Sequence, residues 1–83
     1  MYKIIIEHKA AKQIESLPNE IIELVVEAIE KLKNNPRPHG VKKLIGDVGW
    51  RIRVRAYRVL YTIDDQQKIS TIYRVKHRKE SYR

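Results

Sequence analysis

Apolar residues change their spacing along the chain, and each spacing predicts one type of secondary structure. Residues 2–7 contain three consecutive isoleucines, a run typical of an interior strand. Between residues 10 and 34, apolar side chains recur three or four positions apart, which indicates amphipathic helix. After residue 41 they alternate with polar side chains, which is the period of a strand with one buried face.

Pro18 divides the helical region in two, because proline cannot continue a helix. We predict a first helix over residues 10–17. A second helix is predicted to begin at an Asn19 cap and to end near residue 34. The apolar stripe of this second helix is wider than one sheet face needs, because it also includes Ile22, Leu24 and Val26.

Four strands are predicted in the rest of the chain, at residues 41–45, 50–55, 58–63 and 69–76. A strand, two helices and then an antiparallel meander of three to four strands make an α+β fold, with the helices on one sheet face and a basic, open second face. We predict a single domain over residues 1–83. The aromatic residues predicted to pack in the core or the sheet are Trp50, Tyr57, Tyr61 and Tyr73.

Arginine occupies every second position of the strand predicted at residues 50–55. Successive side chains of a strand point to opposite faces, so Arg51, Arg53 and Arg55 are expected to line one face. A row of like charges about 7 Å apart repels itself unless an anion lies across it. Further basic residues follow at Arg58, Arg74, Lys76 and Arg78. This concentration predicts binding of phosphate, and of a nucleic-acid backbone in particular.

The distribution of charge also favours a basic binding face. The formal net charge is +8 over 83 residues. The first 30 positions hold six of the ten acidic residues but only three of the 18 lysines and arginines. Such segregation is typical of a binding face, whereas a surface that is merely solvated mixes its charges.

Several kinds of chemistry are excluded by what the sequence lacks. Without cysteine there is no disulfide, no thiolate nucleophile and no thiolate-ligated zinc. Two-metal catalysis needs several converging carboxylates, and the basic half of the chain offers few, so we expect no metal site and no cofactor. No segment approaches about 18 consecutive apolar residues, so we expect a cytoplasmic protein without a membrane partner.

Cleavage of RNA remains possible without a metal, because the substrate carries its own nucleophile, the 2′-hydroxyl. Fixed arginines can neutralise the phosphorane, since a planar guanidinium matches two phosphate oxygens. His77 is a candidate proton donor or acceptor beside Arg78, and Tyr82 is a second candidate one helical turn further on. The competing interpretations are a structural histidine and a frayed C-terminal tyrosine.

Five short motifs follow one another at close intervals: Asn35-Pro-Arg-Pro, Lys43-Leu-Ile-Gly, Trp50-Arg-Ile-Arg-Val, Tyr57-Arg-Val-Leu-Tyr and His77-Arg. Their ordered succession resembles the RelE/ParE superfamily of bacterial toxins, and particularly its RelE-like branch. The resemblance extends over nearly the whole chain, from Tyr2 to Tyr82.

The resemblance implies a toxin that enters the ribosomal A site, beside the 16S rRNA, and cuts the mRNA there without a metal. It also implies a cognate acidic antitoxin, with operator DNA bound only through the toxin–antitoxin complex. The catalytic residues that it implies are Arg58, Arg78 and either Tyr82 or His77. The RNA-binding candidates are Arg51, Arg53, Arg55, Arg74, Lys76 and Lys43.

The sequence departs from the family pattern between two meander strands, where Arg55-Ala56 stands in place of the usual Gly-Asp. Glycine adopts positive φ most easily, so its loss predicts a longer turn or one of another type, and the position of Arg58 depends on that turn. Two other functions stay open. One is a ParE-like inhibitor of DNA gyrase, and the other is an inactive binder of nucleic acid or ribosomes with the same fold.

Overall fold

One open sheet contains every strand of the protein that the computed structural model describes, over residues 1–46 and 48–79. The elements are β1 (Lys3–Ile6), α1 (His8–Glu15), α2 (Asn19–Lys31), β2 (Lys42–Lys43), β3 (Trp50–Val54), β4 (Tyr57–Asp64) and β5 (Ile69–His77). The strand order is β1-β5-β4-β3-β2, with β1 parallel to β5 and all other neighbours antiparallel. The predicted α+β fold class is confirmed, including the order of its elements.

Both helices cover the same face of the sheet, where α1 packs on β5 and α2 on β3. Alternate residues of the three long strands point to this face and meet the apolar stripes of the helices. The buried core consists of Ala10, Ile14, Val25, Ile29, Leu32, Val54, Val59, Tyr61, Ile72 and Val75. Neither helix within the described residues is long and apolar enough to cross a membrane.

The wide apolar stripe of α2 is mostly used in packing. Ile22 and Leu24 are partly buried against the core, whereas Val26 remains 46% exposed. Val26 borders Ile6 of β1, which is 42% exposed, across an apolar groove of about 190 Å³. The part of the apolar stripe of α2 that is not used in packing is therefore confined to one small patch beside β1, the edge strand.

The predicted cap of α2 is wrong by one residue. Pro18 occupies the N-cap position and Asn19 is already the first helical residue, with no side-chain cap hydrogen bond. The carbonyl of Pro18 accepts hydrogen bonds from the backbone N–H groups of Ile21 and Ile22, at 2.9 and 3.0 Å. Proline fits this position because its ring fixes φ, which is −57° here.

A two-residue turn, Arg55-Ala56, connects β3 to β4. Val54 pairs directly with Tyr57, so β3 ends at Val54 and the prediction that Arg55 belongs to the strand is wrong. Arg55 has φ +57° and Ala56 has no positive φ, which is the pattern of signs in a type II′ hairpin turn. A non-glycine residue in this conformation costs about 1–2 kcal/mol. The turn is therefore as tight as a glycine turn, at some cost in backbone strain.

The loop after α2 is held against the sheet by one buried hydrogen bond and one cation–π contact. The Tyr61 side chain is fully buried and its hydroxyl donates a 2.7 Å hydrogen bond to the carbonyl of Pro36. Burial raises the pKa of Tyr61 to about 12. The guanidinium of Arg37 lies 5.1 Å from the ring centroid of Trp50, a cation–π distance.

Arg37 also connects this loop to the turn between β4 and β5. Its guanidinium donates two hydrogen bonds to the Asp65 carboxylate, at 2.9 and 3.2 Å. The Tyr2 hydroxyl donates a third, at 2.6 Å. The hydrogen bonds from Arg37 and then from Tyr2 lower the pKa of Asp65 to about 2. One exposed carboxylate thus joins the N-terminus, the proline loop and the far end of the sheet.

Gly49 precedes β3 at a point where the chain passes very close to β4. It has φ +92°, and a Cβ added there would overlap the backbone carbonyl oxygen of Tyr61. Gly46 also has positive φ, at +78°, but an added Cβ would meet no atom within 4 Å. A substitution at Gly46 would therefore introduce backbone strain alone, whereas one at Gly49 would introduce backbone strain and steric overlap.

We expect Gly46→Ala to lower the free energy of unfolding by about 1–2 kcal/mol, the cost of a left-handed alanine. Gly49→Ala should lower it by clearly more, because the strands must also move apart. Urea denaturation of both variants measures the difference. Equal losses in the two variants would contradict the close approach of Gly49 to β4.

Candidate nucleic-acid interface

The sheet face opposite the helices carries two rows of side chains that run across the strands. In the first row, Arg58 on β4 pairs with Arg53 on β3 and with Lys76 on β5. In the second row, Leu60 on β4 pairs with Arg51 and Arg74. Residues two apart on a strand are about 7 Å from each other, which is the spacing between the rows. The term cationic face is used below for these six residues.

The first row places three cations side by side. Directly opposed residues of antiparallel strands have Cα atoms about 4.5–5.5 Å apart, and like charges there are destabilising. Within residues 1–46 and 48–79, the ion pairs join Lys31 to Glu27, Lys33 to Glu30 and Arg37 to Asp65, all away from this row. The row is therefore a site with excess positive charge, suited to an anion.

Arg58 is the most enclosed residue of the first row. It is partly buried, and within the described residues its Nε has no hydrogen-bond acceptor and almost no accessible surface. A buried donor without an acceptor costs free energy. Because Arg58 lies between two cations, a phosphate bound on this face would offset the repulsion within the row.

Leu60 gives the second row an apolar centre. It is only 2% exposed although it lies on the face without helices. Its register partners are Arg51 and Arg74, and arginine stems can cover apolar surface while the guanidinium stays in water. The stems of these two arginines are therefore well placed to cover Leu60 on a face that no helix covers.

Two of the predicted RNA-binding residues are not on the cationic face. Lys43 pairs with Trp50 and so points to the helix side, whereas Lys42 pairs with Arg51 on the cationic side. Arg55 lies in the turn and lines a cleft against Leu24 and Glu27 of α2. Sequence analysis missed Lys42 because a choice between adjacent lysines needs the pairing register. A two-residue strand is too short for its sequence pattern to reveal that register.

His77 is separated from Arg58 by the sheet. Its register partner is Tyr57, whose ring makes an edge-to-face contact with the imidazole at a centroid distance of 5.1 Å. Nδ1 of His77 accepts a hydrogen bond from the backbone N–H of Lys79 at 3.2 Å. These contacts favour the structural interpretation of this histidine, because alternation along β5 turns it away from Lys76.

Arg78 directly follows β5 and lies beside the hairpin turn. Its backbone N–H donates a 2.7 Å hydrogen bond to the carbonyl of Ala56, and its side chain is exposed. The predicted catalytic arginines therefore both lie at the end of the sheet where β3 turns into β4. Tyr82 lies outside the residues that the structure describes, so its predicted role stays a prediction.

Tyr73 was predicted to pack in the core or the sheet, and it lies half-buried on the sheet outside the core. The ladder between β4 and β5 shifts next to Leu60 and Tyr61, so Tyr73 is the unpaired residue of a β-bulge. Its hydroxyl donates a 2.5 Å hydrogen bond to the carbonyl of Val48, in the loop between β2 and β3. The bulge turns Tyr73 toward the face without helices, and no local sequence signal announces such an insertion.

Among the residues that the structure describes, no three histidine, cysteine or acidic side chains lie close enough together to hold a metal ion.

Comparison with known proteins agrees with this arrangement. A family model described as the ParE toxin of the type II toxin–antitoxin system parDE matches residues 4–82. A curated Methanocaldococcus jannaschii protein that carries the toxin name RelE1 is 29% identical over 86 residues, covering 99% of this chain and 96% of that protein.

Two solved structures are similar over nearly their full length. A chain of the archaeal RelE–RelB complex from Pyrococcus horikoshii OT3 superposes with a TM-score of 0.83 at 29% identity, covering 93% of this chain and 94% of that one. A chain of the toxin–antitoxin complex RelBE2 from Mycobacterium tuberculosis has a TM-score of 0.80 at 30% identity, covering 92% and 96%.

Fold and surface together define a small α+β protein with helices on one sheet face and cations on the other. The family match over almost the entire chain adds its lineage: the chain belongs to the ParE toxin family, within the RelE/ParE superfamily. It is a toxin of a type II toxin–antitoxin system. The resemblance drawn from the sequence motifs is thereby confirmed.

The first cationic row should cost stability in the absence of a ligand. We expect Arg53→Gln to raise the free energy of unfolding by roughly 0.2–1 kcal/mol at low salt, because it removes a like charge opposite Arg58. The gain should vanish near 1 M salt, where the screening length falls to about 3 Å. Thermal denaturation at several salt concentrations measures this dependence.

Lys12→Gln is the matched control, since it also removes one positive charge from an exposed position. Lys12 lies in the last turn of α1, where a cation interacts favourably with the helix dipole, so its loss should lower stability slightly. A stabilisation of the same size in both variants would show that only net charge matters, and would contradict local repulsion in the row.

Proposed function

We propose that this toxin is a ribosome-dependent mRNA endoribonuclease that cuts mRNA in the A site and so inhibits translation. The observation that carries the proposal is the row formed by Arg53, Arg58 and Lys76, three cations in direct register that form no ion pair within residues 1–46 and 48–79. The names of the relatives support the RelE-like branch. Delivery of the mRNA by the ribosome is part of the proposal and follows the RelE resemblance.

The proposed reaction is an in-line displacement within the RNA strand. The 2′-oxygen of one nucleotide attacks the adjacent phosphorus, a P–O2′ bond forms, and the P–O5′ bond breaks. The 2′-hydroxyl loses its proton to a base, and the departing 5′-oxygen gains one. Negative charge builds up on the phosphorane oxygens, where a preorganised cation is most effective.

Arg58 is assigned to the phosphorane, because it is flanked by two cations and is partly buried. Arg78 is assigned to the same step, since its backbone is bonded to the turn that positions Arg58. Arg51 and Arg74 in the second row would hold the neighbouring phosphate about 7 Å away. The row spacing thus allows consecutive phosphates to be bound by successive rows.

Proton transfer is assigned to Tyr82 and not to His77. His77 has its ring on the helix side of the sheet and its Nδ1 in a backbone hydrogen bond, so it does not face the first row. The assignment of Tyr82 rests on the family resemblance.

A second function is favoured by the family match itself. The matching family model bears the name ParE. The ParE-like alternative raised by the sequence is a protein that inhibits DNA gyrase and cuts no RNA. The cationic face would then be a docking surface. Because both functions use one fold, only an activity measurement separates them.

The nuclease proposal is tested by mapping new 5′ ends in a defined mRNA, with and without programmed ribosomes. We expect cuts at the A-site codon only when ribosomes are present. Arg58→Gln and Arg78→Gln should each slow cleavage by about 10²–10³-fold, the effect of losing one preorganised charge stabiliser. Arg55→Gln is the control, since it removes an arginine from the same hairpin but off the cationic face, and it should keep the wild-type rate.

Undiminished cleavage in Arg58→Gln, or equal losses in Arg58→Gln and Arg55→Gln, would reject the assigned site. If the wild-type chain cuts nothing but blocks DNA supercoiling by gyrase, the ParE-like function replaces the nuclease. If it does neither and still binds RNA with a steep salt dependence, the protein is an inactive binder.

The toxin is also proposed to bind an acidic antitoxin that folds on contact. The similar structures from P. horikoshii and M. tuberculosis are toxin–antitoxin complexes. In this chain, a net charge of +8 and the exposed apolar pair of Ile6 and Val26 give such a partner both a charge to neutralise and a groove to fill. An acidic, partly disordered segment satisfies both requirements.

Expressed in its native host, the chain should co-purify with an acidic protein. Arg74→Gln should weaken that complex roughly two- to fivefold at low salt, as expected for one exposed charge pair. Arg55→Gln is the charge-matched control, since Arg55 lies outside both the cationic face and the groove at Ile6 and Val26, and it should leave the affinity unchanged. Absence of any acidic partner, or equal effects of the two variants measured by calorimetry, would contradict the proposal.

A further inference from the structure

A cavity of about 330 Å³ opens on the cationic side of the sheet, next to the second row. Its walls are Glu7, Val48, Thr62, Thr71 and Tyr73. Thr62 follows Leu60 on the same face of β4, so the cavity lies about 7 Å beyond Leu60 and about 14 Å from Arg58. The reaction proposed above does not use any of its five residues.

The fold brings these residues together from four segments. Thr62 and Thr71 are direct register partners on β4 and β5. Glu7 continues β1, and its backbone N–H donates a 2.9 Å hydrogen bond to the carbonyl of Ile72. The bulge at Tyr73 swings that ring to the same side, and the hydroxyl fixes the neighbouring loop through Val48.

The polar groups of the cavity differ in kind from those of the cationic rows. Glu7 is a carboxylate beside a surface of arginines, yet within residues 1–46 and 48–79 it forms no ion pair or hydrogen bond through its side chain. The same part of the chain offers no side-chain hydrogen bond to Thr62 or Thr71. A carboxylate repels phosphate, so this end of the face is unsuited to the RNA backbone.

A nucleobase has the chemistry that these groups require. Carboxylates accept hydrogen bonds from exocyclic amines, which cytosine carries and uracil lacks. Threonine hydroxyls can donate to or accept from a base edge. Tyrosine rings stack on unpaired bases, which is the usual way single-stranded RNA is held.

We propose that the cavity walled by Glu7, Thr62, Thr71 and Tyr73 binds an unpaired base of the RNA strand and prefers bases with an exocyclic amine. The Glu7 carboxylate accepts from the amine, the threonines contact the remaining edge, and the Tyr73 ring lies against the base. The inference rests on the proposed function in that the phosphates of the same strand lie along the cationic face.

The test is direct binding of short oligoribonucleotides to the purified chain, measured by fluorescence anisotropy. Oligo(C) and oligo(U) of equal length carry 2′-O-methyl groups, so that neither can be cut. The wild-type chain should bind oligo(C) roughly tenfold more tightly, the discrimination expected of one good side-chain–base pairing. Glu7→Gln should bring the two affinities together, because an amide pairs with either base.

Glu15→Gln is the matched control, since it makes the same charge change at an exposed position on α1. It should raise both affinities slightly and leave their ratio unchanged. Glu7→Gln is expected to fold normally, because the Glu7 side chain forms no cap hydrogen bond to α1. Thr62→Val is a second variant that should also reduce the ratio, by removing a hydroxyl without changing the shape of the side chain.

The outcomes distinguish the base site from the nuclease. A Glu7-dependent preference without any cleavage on ribosomes would keep the base site and reject the nuclease. Ribosome-dependent cleavage together with equal oligo(C)-to-oligo(U) ratios in wild type, Glu7→Gln and Glu15→Gln would reject the base site alone. Failure of the wild-type chain to bind either oligonucleotide would also overturn the base site.

Discussion

The pairing register of β3 and β4 is the constraint on which the surface of this protein depends. Because strand side chains alternate, a shift by one residue would turn Arg51 and Arg53 into the core and Trp50 into solvent. Both ends of β3 hold the register in place. At the C-terminal end the two-residue turn pairs Val54 with Tyr57, and at the N-terminal end only a glycine can approach β4 so closely.

The register places like charges side by side, so the protein gives up stability to present them. Arg58 lies between two cations, and a bound phosphate would relieve the repulsion among them. The opposing free energy comes from the other face, where two short helices bury an apolar layer with the sheet. Excess positive charge and apolar burial are thus divided between the two faces of one sheet.

The alternation of side chains along each strand also decides which face of the sheet a given residue occupies. His77 directly follows Lys76 on β5. Because adjacent residues of a strand point to opposite faces, His77 lies on the helix side of the sheet. Tyr73 reaches the cationic side only because a bulge adds a residue to β5. The open face consequently combines a cluster of cations at one end with a carboxylate, hydroxyls and an aromatic ring at the other.

The spacing of apolar residues was enough to predict the order of elements, the α+β class and the common face of Arg51 and Arg53, since each follows from a local period of two or nearly four. The motif order was enough to indicate the family. The tertiary structure alone decided that Arg55 leaves the row, that Lys42 replaces Lys43 and that Tyr73 faces outward. These depend on where a strand stops, which neighbour it pairs with and where an extra residue is inserted, and such non-local choices leave no periodic trace in a single sequence.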